Sequence, residues 1–462
     1  MLNLFLTGFV GLLIALGLRR PFIWVLLYLY VDILAPQKVS LGFLSSVPIS
    51  LIAFVLAGSS WLFLDDKRDS RFTFRQVLLV LLLVYCGFTT MSADFPDAAA
   101  EKWAWVWKAL VFAIFLPLTL RTRLRIEASV LVMGLSAGAI VIGGALKTLA
   151  TGGGYNELKL FVNDNTGLYE GSIISCVSVA IIPLVLWLAN HGSIFPPDRR
   201  ARFYAYAQCF ACLLIPVGTQ ARTGLLCLGL LGVMALRSVK RPMLFVAGAA
   251  VALVLAIPFL PKTYTDRMGT IQNHEADESA STRIAVWTWT LGYVQDHPLG
   301  GGFAAYLQDK ITVQTRSVSG DGNTAAVSVD SMQDKARAFH SSYFEMLGEQ
   351  GWPGLFLWLT LQISGVVQME MLNRRWRRRY REAPVPANSW QAPLAMALQQ
   401  AQLVYMCGSL FVGIAFQPFI LMLVGLQCGL WSYLGRIEAA ERSARPAGRP
   451  APRLLRTGPA SG

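Results

Sequence analysis

His340 has the setting of a general base. It lies in Ala338-Phe339-His340-Ser341-Ser342-Tyr343-Phe344-Glu345, where Ser342 and Glu345 have capping-box spacing. A helix is therefore expected to begin there with His340 at its N-terminal end. The positive end of a helix dipole disfavours the imidazolium form, and a general base must be neutral. The plain alternative is a histidine that merely starts a helix. That helix is expected to end near Gly348 to Gly351, just before an apolar run re-enters the membrane. A base at that level suits a lipid-borne substrate. Two arginines stand near the same face. Arg222 lies in a very short turn between two apolar runs, and Arg283 opens an amphipathic run from Ile284 to Val294. That run, with Trp287 and Leu291, is expected to lie against the bilayer as an interfacial helix. A pair of arginines there has the chemistry to clamp a diphosphate, which guanidinium grips bidentately; the alternative is two structural cations. Asp164, in Asn163-Asp164-Asn165-Thr166, is either a carboxylate that orients His340 or an acceptor, or part of a turn-forming cluster.

The remaining chemistry-bearing residues offer less. His191, His274 and His297 read as solvated surface histidines, and no spacing makes a metal site. Asp321-Gly322-Asn323 lacks the full spacing of a calcium loop. All seven cysteines fall in apolar runs, so no disulfide framework is implied, and Cys209-x-x-Cys212 lies inside one of them.

The elements that must position these residues are membrane helices. The chain has 462 residues, 54% hydrophobic and 15% charged, whereas soluble chains carry about 25% charge. That excludes an ordinary cytosolic enzyme and a disordered protein. Thirteen apolar runs occur, at about 2–18, 21–35, 45–64, 76–93, 103–120, 128–148, 171–190, 203–219, 223–236, 243–260, 353–372, 396–415 and 417–436. A span needs roughly 20 apolar residues, and the first two runs are short enough for a tight hairpin. The fold class is all-α, a polytopic membrane protein of about 12–13 transmembrane helices. Residues 1–18 lack a charged n-region and a cleavage site, so they read as a retained helix. Twenty-seven of the forty Lys and Arg residues fall in alternate loops, from Arg19-Arg20, through Lys67–Arg75 and Arg374–Arg381, to Arg436–Arg456. The positive-inside rule makes those loops cytoplasmic. The net charge of +13 is thus a topology signal and not a nucleic-acid footprint. Residues 261–352 then form one long outer loop, expected to be a small folded domain. Trp103, Trp105 and Trp107 read as an interfacial aromatic belt, and the Ala-, Arg-, Pro- and Gly-rich tail reads as disordered.

His340-Ser341, nine residues, then Gly351-Trp352-Pro353-Gly354 resembles the signature of the O-antigen ligase and O-antigen polymerase superfamily. Arg222-Thr223-Gly224-Leu225-Leu226 resembles that family's first characteristic arginine. Arg283…Trp287…Pro298-Leu299-Gly300-Gly301-Gly302-Phe303 resembles its second. The likeness covers roughly 165–435. Arg19-Arg20-Pro21-Phe22 followed by Ala35-Pro36 is similar to a subgroup, the O-glycosylation ligases associated with exosortase A systems. Ala221 departs from the pattern, standing where many relatives have Ser, and a polar insert at about 312–334 has no assigned place.

The resemblance implies a type-C membrane glycosyltransferase that takes a glycan from undecaprenyl diphosphate without metal, nucleotide sugar or other cofactor. It implies catalytic roles for His340, Arg222 and Arg283, the arginines stabilising charge on the departing diphosphate and His340 taking the proton of the acceptor hydroxyl. Arg222, Arg283, Asp164 and Ser341 form the implied substrate-binding set. The implied organisation is an N-terminal region at 1–165, a ligase-like core at 166–436 with its periplasmic loop at 261–352, and a cytoplasmic tail at 437–462. The implied place is the bacterial inner membrane, with the site facing the periplasm. The acceptor is a protein, lipid A core or glycan hydroxyl, the last making the chain a polymerase. A lipid-linked glycan transporter is the alternative from another class, though neither repeated halves nor broken midplane helices are evident.

Overall fold

The computed structural model describes residues 1–462 other than 41, 68–71, 153–166, 196–197, 238, 240, 257–277, 320–325, 336, 383–388 and 444–462. Asp164, His274, Asp321-Gly322-Asn323 and most of the tail lie outside the described residues.

Each of the thirteen apolar runs coincides with a helix. They are α1 (Leu2–Arg19), α2 (Phe22–Leu34), α3 (Ile49–Ser59, continued by a π-helical turn, Ser60–Leu64), α4 (Phe74–Met91), α5 (Pro96–Thr119), α6 (Arg123–Thr151), α7 (Gly171–His191), α8 (Arg199–Gly218), α9 (Arg222–Leu236) and α10 (Pro242–Ala256). After α11 (Glu278–Asp296) come α12 (Ser342–Glu382), α13 (Gln391–Gly408) and α14 (Pro418–Ser443). Among the described residues seven helices are long and apolar enough to cross a membrane unaided: α1, α4, α5, α6, α7, α12 and α14. Helices α2, α3 and α9 are shorter apolar helices. The chain is an all-α, multi-pass membrane protein. Its helices must satisfy their backbone internally, and large apolar side chains such as Phe5, Val84, Phe203, Tyr206 and Phe356 stay exposed on the outer surface.

The core sits around α7 and α14, whose most apolar windows are 78% and 72% buried, against 17% for the peripheral α1. Local signals set the helix ends. Thr73 and Gln76 form a reciprocal capping box at the start of α4, and Glu170 caps α7 by accepting the Ile173 N–H at 2.7 Å. Among the described residues, the segment between α11 and α12 departs from all-α structure at one place. The polar insert forms an antiparallel hairpin, β1 (Lys310–Ser319) with β2 (Ala326–Lys335), in register from Lys310–Lys335 to Ser319–Ala326.

Three sequence expectations need correction. Arg75, grouped with the basic loops, lies inside α4 and is fully buried, with Nε donating to the Leu361 carbonyl at 3.2 Å. The last helix runs past residue 436 to Ser443, and buried Glu438 pairs with Arg375 at 2.9 Å, so residues 437–443 are ordered helix and not tail. Two of the three tryptophans of the proposed belt turn inward: Trp103 stacks on Phe303 and Trp107 meets the edge of Phe54.

Candidate functional site

The glycines of the sequence motif build the site's frame. Helix α12 is broken at Gly351, whose backbone is at φ 62° and ψ −167°, a conformation essentially restricted to glycine. The break leaves carbonyls of the preceding turn without helical partners. A strap running Pro298-Leu299-Gly300-Gly301-Gly302 supplies them. Gly301 N–H donates to the Gly348 carbonyl at 3.0 Å, Gly302 N–H to Glu349 at 2.9 Å, and Trp352 N–H returns to Pro298 at 3.0 Å. The two backbones approach so closely that a Cβ on Gly351 would lie 2.3 Å from the Pro298 oxygen.

His340 stands just before α12, in a left-handed conformation at φ 48°. The helix does begin at Ser342, but the capping box does not form. Ser342 Oγ instead donates to the Val412 carbonyl at 2.9 Å and accepts the Ile414 N–H at 2.8 Å. Glu345 turns to the Ala415 N–H, 3.1 Å away, and to Lys102. Long-range partners displaced the local cap.

Arg283 reaches the same place from α11. Trp287, one turn further along that helix, donates to the Phe339 carbonyl at 2.9 Å and stacks on Phe344 with centroids 4.9 Å apart. It therefore pins α11 to the His340 segment. Only part of the expected interfacial face points outward, namely Ile284 and Leu291.

A cavity of about 270 Å³ lies between these elements, lined by Arg283, Tyr306, His340, Lys102, Glu345 and Glu349 together with Glu170, Ser172 and the turn Phe411–Gly413. His340 is exposed at its mouth. Crowding around the ring, then Arg283, then Arg337 hold its pKa below the ordinary histidine value. The neutral form expected from the helix dipole is thus favoured by partial crowding of the ring, although the residue is open to solvent, and by two cations. A larger cavity of about 600 Å³ lies toward the basic ends of α6–α8, lined by Leu131, Val185, Leu188, Phe195, Tyr204 and Gln208 among others, and contains none of these residues.

The structure brings His340 and Arg283 together. Arg222 does not line the cavity. It opens α9 after a turn held by Gln220 at φ 53°. Its helix packs at Gly224 against Ser175, whose hydroxyl bonds Thr219 at 2.6 Å. Ser175 is one turn along α7 from the lining residue Ser172, so the start of the Arg222 helix packs on the same helix that lines the cavity. Ser341 is buried and outside the lining, and its carbonyl accepts the Glu345 N–H at 2.8 Å.

Sequence reasoning missed Lys102, Glu345 and Glu349 as a unit. Lys102 Nζ lies 2.6 Å from Glu345 Oε1 and 2.9 and 2.7 Å from the two Glu349 oxygens. The signal was there in part: Glu345 and Glu349 stand four residues apart on one helix, a repulsive pair that calls for a cation. Nothing in the spacing pointed to Lys102. Among the described residues no group of three or more His, Cys, Asp or Glu could hold a metal ion.

Comparison with known families matches two parts of the chain. Residues 1–193 match a family of unknown function, DUF5935. Residues 207–359 match the O-antigen ligase family. No curated protein matches the chain. The second match spans both characteristic arginines, the glycine strap, His340 and the break in α12. Residues 207–359 thus carry an O-antigen ligase domain, and that domain supports a ligase-like membrane glycosyltransferase in general.

Proposed function

We propose that the protein transfers a glycan from undecaprenyl diphosphate to an acceptor hydroxyl at the periplasmic face of the bacterial inner membrane. The observation that carries this reading is the shared cavity of His340 and Arg283, beside the glycine-locked break in α12. The acceptor oxygen attacks the anomeric carbon. The bond from that carbon to the diphosphate oxygen breaks, and undecaprenyl diphosphate leaves with the electron pair. The acceptor proton passes to the neutral imidazole of His340. Arg283 at the cavity, with Arg222 in the adjoining turn, meets the charge that grows on the leaving group. A diphosphate is already a good leaving group, so no nucleotide is consumed, and a single displacement inverts the anomeric configuration. Asp164 stands in the substrate-binding part of the proposal as the residue that orients the acceptor.

The test measures donor binding beside single-turnover transfer from undecaprenyl-diphosphate glycan. His340→Ala should lose about 10²–10⁴-fold in rate, the usual worth of a general base, and keep donor affinity, because a neutral imidazole adds little to diphosphate binding. Arg222→Ala and Arg283→Ala should weaken both, and Lys at either position should rescue only partly, since a point charge lacks the bidentate fork. Wild-type transfer in all three variants would overturn the reading. Loss of binding in His340→Ala with retention in the arginine variants would overturn the roles.

A further inference from the structure

The region whose family has no known function reaches into the reaction cavity. Lys102, on α5, lies among residues 1–193, whereas Glu345 and Glu349 lie in the O-antigen ligase match. The ammonium has three protons, and three carboxylate oxygens stand within 2.9 Å of it. It also lies over Phe303 and Phe416, at 5.3 and 5.9 Å from their ring centroids. Its side chain is 19% exposed and that of Glu349 is 1% exposed. With its donors committed, Lys102 is not placed to hold a phosphate.

What the carboxylates do next defines the role. Glu345 Oε2 accepts the Ala415 N–H at 3.1 Å, in the segment that follows the lining turn Phe411–Gly413. Glu349 Oε1 accepts the Ala304 N–H at 3.1 Å, two residues before the lining residue Tyr306. One cation thereby fixes two stretches of the wall of the cavity that His340 also lines. Other groups of the same region hold the strap and the turn before the break in α12: Tyr85 Oη donates to the Leu299 carbonyl at 3.0 Å, the Asp94 backbone N–H to the Gly301 carbonyl at 2.9 Å, and Thr89 Oγ1 to Gln350 Oε1 at 2.6 Å.

We propose that the N-terminal region is part of the catalytic unit, and that Lys102 is a positioning residue that holds Glu345 and Glu349 and, through them, the walls of the cavity that His340 shares. This rests on the transfer reaction proposed above. Removing the ammonium leaves two carboxylates on one buried helical turn without their cation, an arrangement proteins avoid. The walls then lose the geometry that fast transfer needs, while the arginines that meet the diphosphate stay in place.

The experiment uses full-length protein in detergent with undecaprenyl-diphosphate glycan as the probe, and reads donor affinity and release of undecaprenyl diphosphate. Lys102→Met should bind donor within about threefold of wild type and release about 10²-fold more slowly, the order expected when reacting groups are misplaced by an ångström. Lys102→Arg, which keeps the charge, should return to within about tenfold of wild type. Release at the wild-type rate in Lys102→Met, equal loss in Lys102→Arg, or loss of donor affinity in step with rate would each overturn the positioning role. Where Lys102→Met does not fold, Glu349→Gln is read instead. It keeps an acceptor for Ala304 and one ion pair, so release should stay within about tenfold of wild type; a loss of about 10³-fold would make Glu349 a proton-transfer group and overturn the assignment. His340→Ala in the same assay separates the two ideas. If it is inactive while Lys102→Met is normal, only this inference falls; if His340→Ala is itself active, the transfer mechanism falls.

Discussion

Gly351→Ala is the sharpest test of how the site is framed. The residue sits at φ 62° and ψ −167°, a region that residues with a Cβ reach only with about 1–3 kcal/mol of strain. The added methyl would also lie 2.3 Å from the Pro298 oxygen, 2.4 Å from the Leu299 carbonyl carbon and 2.5 Å from Gly300 N. All three are backbone atoms, so no side-chain rotation relieves the contact and the strap must move. Forcing extra volume into a packed site typically costs about 1–3 kcal/mol, which gives about 2–6 kcal/mol in total. The strap carries the Gly301 and Gly302 hydrogen bonds to the last carbonyls before the break, so an ångström of displacement there should lower transfer by about 10²-fold. The control is Gly292→Ala on α11, where nothing lies within 4 Å of an added Cβ and the exchange should be neutral or stabilising by up to about 1 kcal/mol. Thermal unfolding of both variants in one detergent, beside single-turnover transfer, decides the matter. If Gly351→Ala melts and turns over like Gly292→Ala, the interlocked backbones do not frame the site and the reasoning fails.

The pH profile follows from the charges around His340. Crowding, Arg283 and Arg337 hold its pKa down, so the neutral base should persist below the ordinary histidine value of about 6.5, with rate falling only as pH drops through the lowered pKa. Arg337→Gln removes one of the two cations and should move that acidic limb toward higher pH; a limb that stays put or moves the other way would show that His340 is not the titrating base. Topology is checked by cysteines at positions 321 and 460 in cells with a permeabilised outer membrane. An impermeant reagent should label position 321 and not 460, and the reverse would put the cavity on the wrong side for a periplasmic acceptor.

Much of the fold was legible because membrane helices announce themselves by length and apolarity alone, and thirteen apolar runs are thirteen helices. The site was legible where the chain itself imposes the geometry. Gly300, Gly302 and Gly351 all adopt positive φ, which no other residue type does as readily, so a glycine pattern in the sequence becomes a backbone pattern in space. The misreadings share a different cause. A capping box at Ser342 and Glu345 was a sound local inference, but Ile414, Ala415 and Lys102 compete for the same side-chain oxygens, and sequence spacing cannot weigh a partner that is far away along the chain.

The same limit explains two inward-turned cations, buried Arg75 and half-buried Lys102. Charge and hydropathy place Arg75 in a cytoplasmic loop and leave Lys102 beside the expected aromatic belt of Trp103, because each lies at the end of an apolar run, where long basic side chains usually snorkel to water. In the structure both turn inward, and each is met by α12: Arg75 by the Leu361 carbonyl, Lys102 by Glu345 and Glu349. An inward cation in a membrane protein is expensive unless a partner or polar surroundings receive it, so these two positions join α4 and α5 to the helix that carries His340 at its start. Gly365 supports the first of these joins, since a Cβ there would lie 2.4 Å from Arg75 Nη2. The N-terminal helices and the ligase-like core are thus tied together by buried charge at two levels of one helix, and the upper tie opens directly into the cavity. A region appended for anchoring alone would need neither.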